Sequence, residues 1–181
     1  MNATATEIKN RREAKDVFIT PTNLAKKHIE IVENVIDEFF GEERKKSCRW
    51  YDPFRASGRY FDNFPENDCE KLWSEITDGK DFFEEDETLN PTVICSNPPY
   101  SILQAVLEHS VRLKPRVISY LIGLHNLTPK RIEYMENNGY KIVNIHMCKV
   151  FKWFGMSAII TWVKSQHQEG IIDYDRTVWR E

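Results

Sequence analysis

Along the chain, apolar residues alternate between the three-and-four spacing of helices and the short compact runs of strands. Leu24, Ala25, His28, Ile31, Val32, Val35, Ile36 and Phe39 line one face of a predicted helix. Thr20-Pro21 opens it, with Thr20 as N-cap and Pro21 at the first helical position, and Gly41 ends it. Residues 48–54 read as a strand running into a turn at Arg55-Ala56-Ser57-Gly58. Leu72–Ile76 predicts a second short strand, after which Asp78-Gly79 turns the chain into Lys80-Asp81-Phe82-Phe83. Residues 84–90 form an acidic loop and 91–96 a further strand.

Helical spacing returns over 101–113, where Ile102, Ala105, Val106, His109 and Leu113 share a face before Pro115 breaks the pattern. Val117–Leu124 is almost wholly apolar, as a central strand covered on both sides must be. Thr128-Pro129 repeats the cap-plus-proline start for a helix to Asn138, and Gly139 stops it. Residues 141–150 and 157–164 predict two final strands, joined in hairpin fashion through Lys152-Trp153-Phe154-Gly155. Strands alternating with helices imply a three-layer α/β domain with a mostly parallel sheet. One domain spans 17–164, between a flexible segment at 1–16 and a polar tail or edge segment at 165–181.

Composition narrows the class. With 41% hydrophobic and 29% charged residues among 181, the chain has the balance of a water-soluble globular domain. It has no apolar run long enough for a membrane span, and residues 1–7 lack a secretory core. The four cysteines, Cys48, Cys69, Cys95 and Cys148, are too widely spaced for a local zinc site, so no metal is expected. They read as reduced thiols of an intracellular protein, in cytoplasm or nucleus, Cys95 buried in its strand. Net charge is −3, although proteins that hold duplex DNA unaided usually carry a basic excess.

The most telling chemistry is Ser96-Asn97-Pro98-Pro99-Tyr100, directly after the apolar run Val93-Ile94-Cys95. The two prolines stiffen a corner that presents the Asn97 amide oxygen and the Pro98 carbonyl together, with Tyr100 as an aromatic plate beside them. Such a corner suits a flat, amino-bearing group. In parallel sheets ligands bind beyond the carboxyl ends of the strands, and the turns at 55–58 and 97–100 both lie there.

This pattern resembles the S-adenosylmethionine-dependent amino-group methyltransferases, in particular the adenine-N6 type. Asn97-Pro98-Pro99-Tyr100 matches the catalytic motif of that family in full. Asp52-Pro53-Phe54-Arg55-Ala56-Ser57-Gly58 is similar to its cofactor loop, Asp-Pro-Phe-any-Gly-any-Gly. Val17-Phe18-Ile19-Thr20-Pro21 resembles the segment lying against the methionine part of the cofactor, and Glu75 with Asp81-Phe82 the residues holding its ribose and adenine. The resemblance covers residues 17–164 and implies a Rossmann-like class I methyltransferase sheet with an antiparallel final strand. It implies S-adenosylmethionine as cofactor, held by Phe18, Thr20, Asp52, Phe54, Gly58, Glu75, Asp81 and Phe82. It also implies catalysis by Asn97, Pro98, Pro99 and Tyr100 on the N6 amino group of adenine in DNA, favoured over RNA.

In that role Asn97 and Pro98 accept the two amino N–H bonds, Tyr100 stacks on the base, and Gly58 lets backbone approach the cofactor. Phe151 or Trp153 would supply the opposite stacking face, unless those aromatics simply pack a hairpin on the core. Ala56 departs from the family glycine. Too few residues separate Glu75 from Asp81 for a parallel crossover, so the second helix and third strand of the family are shortened or absent. No target-recognition domain is evident, which suits a minimal enzyme, a homodimer, or a subunit with a partner for target recognition. Methylation of a protein glutamine amide, and a catalytically silent subunit that binds nucleic acid, are the alternatives.

Overall fold

Every residue of the strand Val117–Gly123 is buried, and the remaining layers are arranged around it. The computed structural model describes residues 19–41, 47–66, 69–150, 155–165 and 171–172. In chain order its elements are α1 (Thr22–Phe40), β1 (Arg49–Asp52), β2 (Glu70–Trp73), β3 (Val93–Ser96), α2 (Leu103–Arg112), β4 (Val117–Gly123), α3 (Pro129–Asn137), β5 (Tyr140–Cys148) and β6 (Ser157–Lys164). The strands form one six-stranded sheet in the order β2-β1-β3-β4-β6-β5. The pairs β1–β2, β1–β3 and β3–β4 are parallel, and β6 runs antiparallel to both β4 and β5. A mostly parallel sheet with an antiparallel final strand is thus the observed fold.

The period-two alternation of the strands divides the core. Trp50, Val93, Cys95, Val117 and Val163 point to one face, where Ala25, Ile29, Val32, Val35 and Ile36 of α1 cover them. Tyr51, Ile94, Ile118, Tyr120, Ile160 and Trp162 point to the other, against Leu103, Val106 and Leu107 of α2 and Ile132 and Met135 of α3. One helix on one face and two on the other give the three layers.

Two local expectations are corrected. Thr20 does not cap α1: the boundary residue is Pro21, no side-chain cap bond forms, and the Thr20 hydroxyl is used elsewhere. The second strand is Glu70–Trp73 rather than Leu72–Ile76, because Glu70 takes part in a cross-strand ion pair with Arg49 (Nε–Oε2 2.7 Å) at the opposite register position. The link around Trp153 lies outside the described residues, as do Phe18 and Phe151.

Between β2 and β3 the crossover contains neither α-helix nor strand. Three single turns of 3₁₀ helix take their place, at Ile76–Asp78, Phe82–Glu84 and Glu87–Leu89. Each starts behind an acidic residue whose carboxylate accepts the N–H two positions on: Glu75 from Thr77 (3.2 Å), Asp81 from Phe83 (3.0 Å) and Asp86 from Thr88 (2.8 Å). The acidic run is therefore the scaffold of the shortened connection. No helix among the described residues is long and apolar enough to cross a membrane.

Leu103 is fully enclosed between α2 and the sheet. Leu103→Ala is expected to lower the free energy of unfolding by about 2–5 kcal/mol, measured from urea unfolding curves.

Candidate active site

β1 and β3 are neighbours, with Tyr51 opposite Ile94, so their carboxyl ends Asp52 and Ser96 meet. Ser96 Oγ donates to Asp52 Oδ1 at 2.6 Å, and the Phe54 N–H donates to the same oxygen at 3.3 Å. Both Asp52 and Ser96 are fully buried. Asp52 Oδ2 is buried too and has no hydrogen-bond partner among the described residues. Burial pushes the Asp52 pKa up to about 7, reinforced by the nearby negative Glu75 and opposed by the Ser96 and Phe54 donors.

The loop after β1 is bent by left-handed backbone. Gly58 has φ +79°, its N–H donates to the Arg55 carbonyl at 2.7 Å, and a Cβ there would sit 2.6 Å from Asp62 Oδ2. The close approach that requires glycine is thus to Asp62 of this chain. Ala56 has φ +43°, the region a glycine occupies without cost, so the residue that departs from the family keeps a glycine-like backbone. Its N–H donates to Glu75 Oε2 at 2.9 Å, while the Thr77 N–H and hydroxyl both donate to Oε1 at 3.2 Å. Glu75 thereby ties the loop after β1 to the loop after β2, and each of its oxygens retains lone-pair capacity for another donor.

Beyond β3, Pro98 and Pro99 are buried, while Asn97 and Tyr100 are half-buried. Tyr100 begins a single turn of 3₁₀ helix that leads into α2, and its ring packs on the α2-side core. Asn97 Nδ2 donates to Thr20 Oγ1 at 3.2 Å, so the residue before α1 reaches the diproline corner. The structure therefore brings Thr20, Asp52, Phe54, Gly58, Glu75 and Asn97–Tyr100 to one edge of the sheet. Asp81 is spent in part on capping its 3₁₀ turn. Phe82 is 1% exposed, enclosed by Phe54 (ring centroids 5.2 Å), Phe83 (5.2 Å) and His109 (4.5 Å), so it forms a wall rather than an open face. Phe83, half-buried, is the more open of the pair.

Sequence reading passed over Ser96, although a serine ending a buried strand is itself a signal. It also passed over His109, whose ring meets both Phe82 and Phe83, and over the partners of His28. Among the described residues no group of three or more His, Cys, Asp or Glu could hold a metal ion.

Neither a family model nor a curated protein matches the sequence. Solved structures do match. A Listeria monocytogenes protein assigned to the class I S-adenosylmethionine-dependent methyltransferases superposes with a TM-score of 0.63 at 13% identity, over 91% of this chain and 65% of that one. The METTL16 MTase domain superposes with a TM-score of 0.58 at 16% identity, over 83% of this chain and 71% of its own. The fold is that of the class I methyltransferases. A third structure, the 1,6-didemethyltoxoflavin-N1-methyltransferase of Burkholderia thailandensis, solved with S-adenosylhomocysteine, superposes with a TM-score of 0.53 at 10% identity, over 77% of this chain and 79% of that one. The methyltransferase fold is preserved here although its usual second crossover is reduced to capped turns.

Two measurements check this geometry. Ala56→Gly relieves left-handed alanine and is expected to raise stability by about 1 kcal/mol in thermal unfolding. Because the folded Asp52 pKa lies above the ordinary carboxylate value of about 3.9, the native state holds the extra proton between the two. Its contribution to stability is full below about pH 4 and declines as pH rises to about 7. Asp52→Asn should flatten that decline in a series of unfolding midpoints from pH 4.5 to 8.

Proposed function

We propose that this chain transfers a methyl group from S-adenosylmethionine to the N6 amino nitrogen of adenine in nucleic acid, DNA being favoured over RNA. The observation that carries the reading is the diproline corner Asn97–Tyr100 at the carboxyl end of β3, beside the buried Asp52 at the end of β1.

The residues present suit that cofactor. Asp52 Oδ2 is a buried carboxylate oxygen in want of a donor, and an ammonium group would supply one while drawing the proton off the acid. Glu75 has lone pairs left for ribose hydroxyls, and Phe54 and Phe82 wall the apolar side with Phe83 more open beside them. Thr20 approaches from the segment before α1, and Phe18, outside the described residues, is a further candidate for cofactor contact. When bound, S-adenosylmethionine supplies an electrophilic methyl group.

The rest of the task belongs to the chain. The lone pair of an exocyclic amino group is delocalised into the base, so the nitrogen is a poor nucleophile. Asn97 Oδ1 and the Pro98 carbonyl accept its N–H bonds and stabilise the positive charge that grows on nitrogen in the transition state. Tyr100 stacks on the base and sets the line of attack, a contribution of orientation. Phe151 and Trp153 are the candidates for the opposite face. A base within a duplex must first be turned out of the stack. With a net charge of −3, grip on a polyanion calls for a second copy or a partner subunit.

The test is label transfer from methyl-tritiated S-adenosylmethionine to duplex DNA, single-stranded DNA, RNA and a glutamine-containing peptide. Adenine label supports the proposal, and label confined to the peptide replaces it with amide methylation. Asn97→Ala is expected to reduce transfer by about 10²–10³-fold while cofactor affinity stays within a few-fold. Equal loss of both would make Asn97 a structural residue.

A further inference from the structure

Trp73, the last residue of the edge strand β2, is half-buried and carries two cations over its ring. The Arg55 guanidinium carbon lies 4.7 Å from the ring centroid and Lys80 Nζ lies 3.8 Å from it, both within reach of a cation–π contact. Arg55 also lies over the Phe61 ring at 5.1 Å, and Phe61 meets Trp73 edge-on with centroids 6.4 Å apart. The loop after β1, the end of β2 and the turn that follows it thus close on one indole.

The other compensation available to Arg55 is weaker. Its Nη1 is 3.9 Å from Asp78 Oδ2, and the Asp78 side chain is 49% exposed. Its Nε is buried with no hydrogen-bond partner among the described residues. A cation screened from water in this way is held more firmly by an aromatic face than one left in solvent.

Both cations belong to segments that tether Glu75. The Ser74 N–H donates to the Asp52 carbonyl at 3.0 Å and the Arg55 N–H to the Ser74 carbonyl at 3.1 Å, which carries the β1–β2 pairing into the loop. The next residue, Ala56, gives its N–H to Glu75 Oε2. On the far side, Lys80 pairs back with Glu75, its N–H donating to the Glu75 carbonyl at 3.1 Å. Trp73 therefore holds the neighbour of each tether: Arg55 beside Ala56, and Lys80 across from Glu75. A carboxylate fixed from two loops faces wherever those loops set it, so a slip of either loop turns it. Cation–π contacts on a half-buried edge strand add little to the stability of the whole domain, which leaves the relative placement of the loops as their use.

We propose that Trp73 is a positioning residue for Glu75: by holding Arg55 and Lys80 over its ring, it fixes how the Glu75 carboxylate is presented to the ribose hydroxyls of the cofactor. The ribose rests on the proposed function, whereas the clamp on Glu75 does not.

Calorimetric titration with S-adenosylhomocysteine, and with its analogue lacking both ribose hydroxyls, reads the coupling. In Trp73→Leu the first ligand is expected to bind about tenfold more weakly than it binds the unaltered protein, and the second to change by no more than about twofold, because it makes no use of Glu75. Lys80→Met keeps the length of the side chain and removes its charge, and should shift the two ligands in the same unequal way. Trp73→Phe retains an aromatic face and should keep most of the affinity. Equal loss for both ligands makes Trp73 a structural residue and overturns the proposal, as does undiminished binding of both. If the unaltered protein binds neither ligand, the cofactor reading fails, and hydrogen exchange then decides the clamp. The Ala56 amide should exchange about tenfold faster or more in Trp73→Leu, while the amides of β4 keep their protection. Unchanged exchange at Ala56, or equal acceleration in β4, overturns the clamp.

Discussion

A hydrogen bond of 2.6 Å from Ser96 Oγ to Asp52 Oδ1 ties together the two strand ends at the candidate site. It joins the last residues of two adjacent parallel strands, and both special loops start from it. Burying a carboxylate without water is costly unless it is paired or neutral. Here burial raises the proton affinity of Asp52, and Ser96 gives its oxygen one donor. The position of the diproline corner relative to the glycine-bearing loop is thus set by chemistry inside the sheet. The loops themselves only extend it.

A second constraint is the economy of the crossover between β2 and β3. A parallel connection ordinarily spends a helix on the return path. This chain returns through three single turns, and each orphaned N–H at a turn start is met by the carboxylate of Glu75, Asp81 or Asp86. Glu75 also accepts from Ala56, which makes the shortened path a brace for the loop after β1. Local hydrogen bonds stand in for those of a helix, while Phe82, Phe83 and Leu89 supply the apolar packing of the connection.

Much of this architecture is legible in the sequence because its signals are local. The faces of α1 and α2, the proline start of α3, the apolar run of β4 and the span of β6 follow from spacing and punctuation alone. The diproline corner and the turn at 55–58 are likewise placed beyond strand ends by what precedes them. Misreadings arise where a distant partner competes. Thr20 looks like a helix cap, but its hydroxyl belongs to Asn97, 77 residues away. Glu70 and Lys71 look like loop, yet the Arg49 guanidinium draws Glu70 into an edge strand. Gly58 has a positive φ and a neighbouring Asp62 carboxylate as its reason, and neither is visible before the turn is folded. Phe82 resembles a residue that holds the cofactor, and the aromatic cluster that encloses it gathers from three separate segments, 51–54, 82–83 and the α2 turn at His109.

The placement of β6 between β4 and β5 has a consequence for how the chain is made. During synthesis β4 and β5 both emerge before β6, and in the sheet they are joined only through β6, which lies between them. Until then the ribosome-bound chain carries two open seams, along β4 and along β5, both waiting for the same late segment. A nascent chain of this shape is exposed to strand pairing with other molecules, and a chaperone that shields one seam would serve it best.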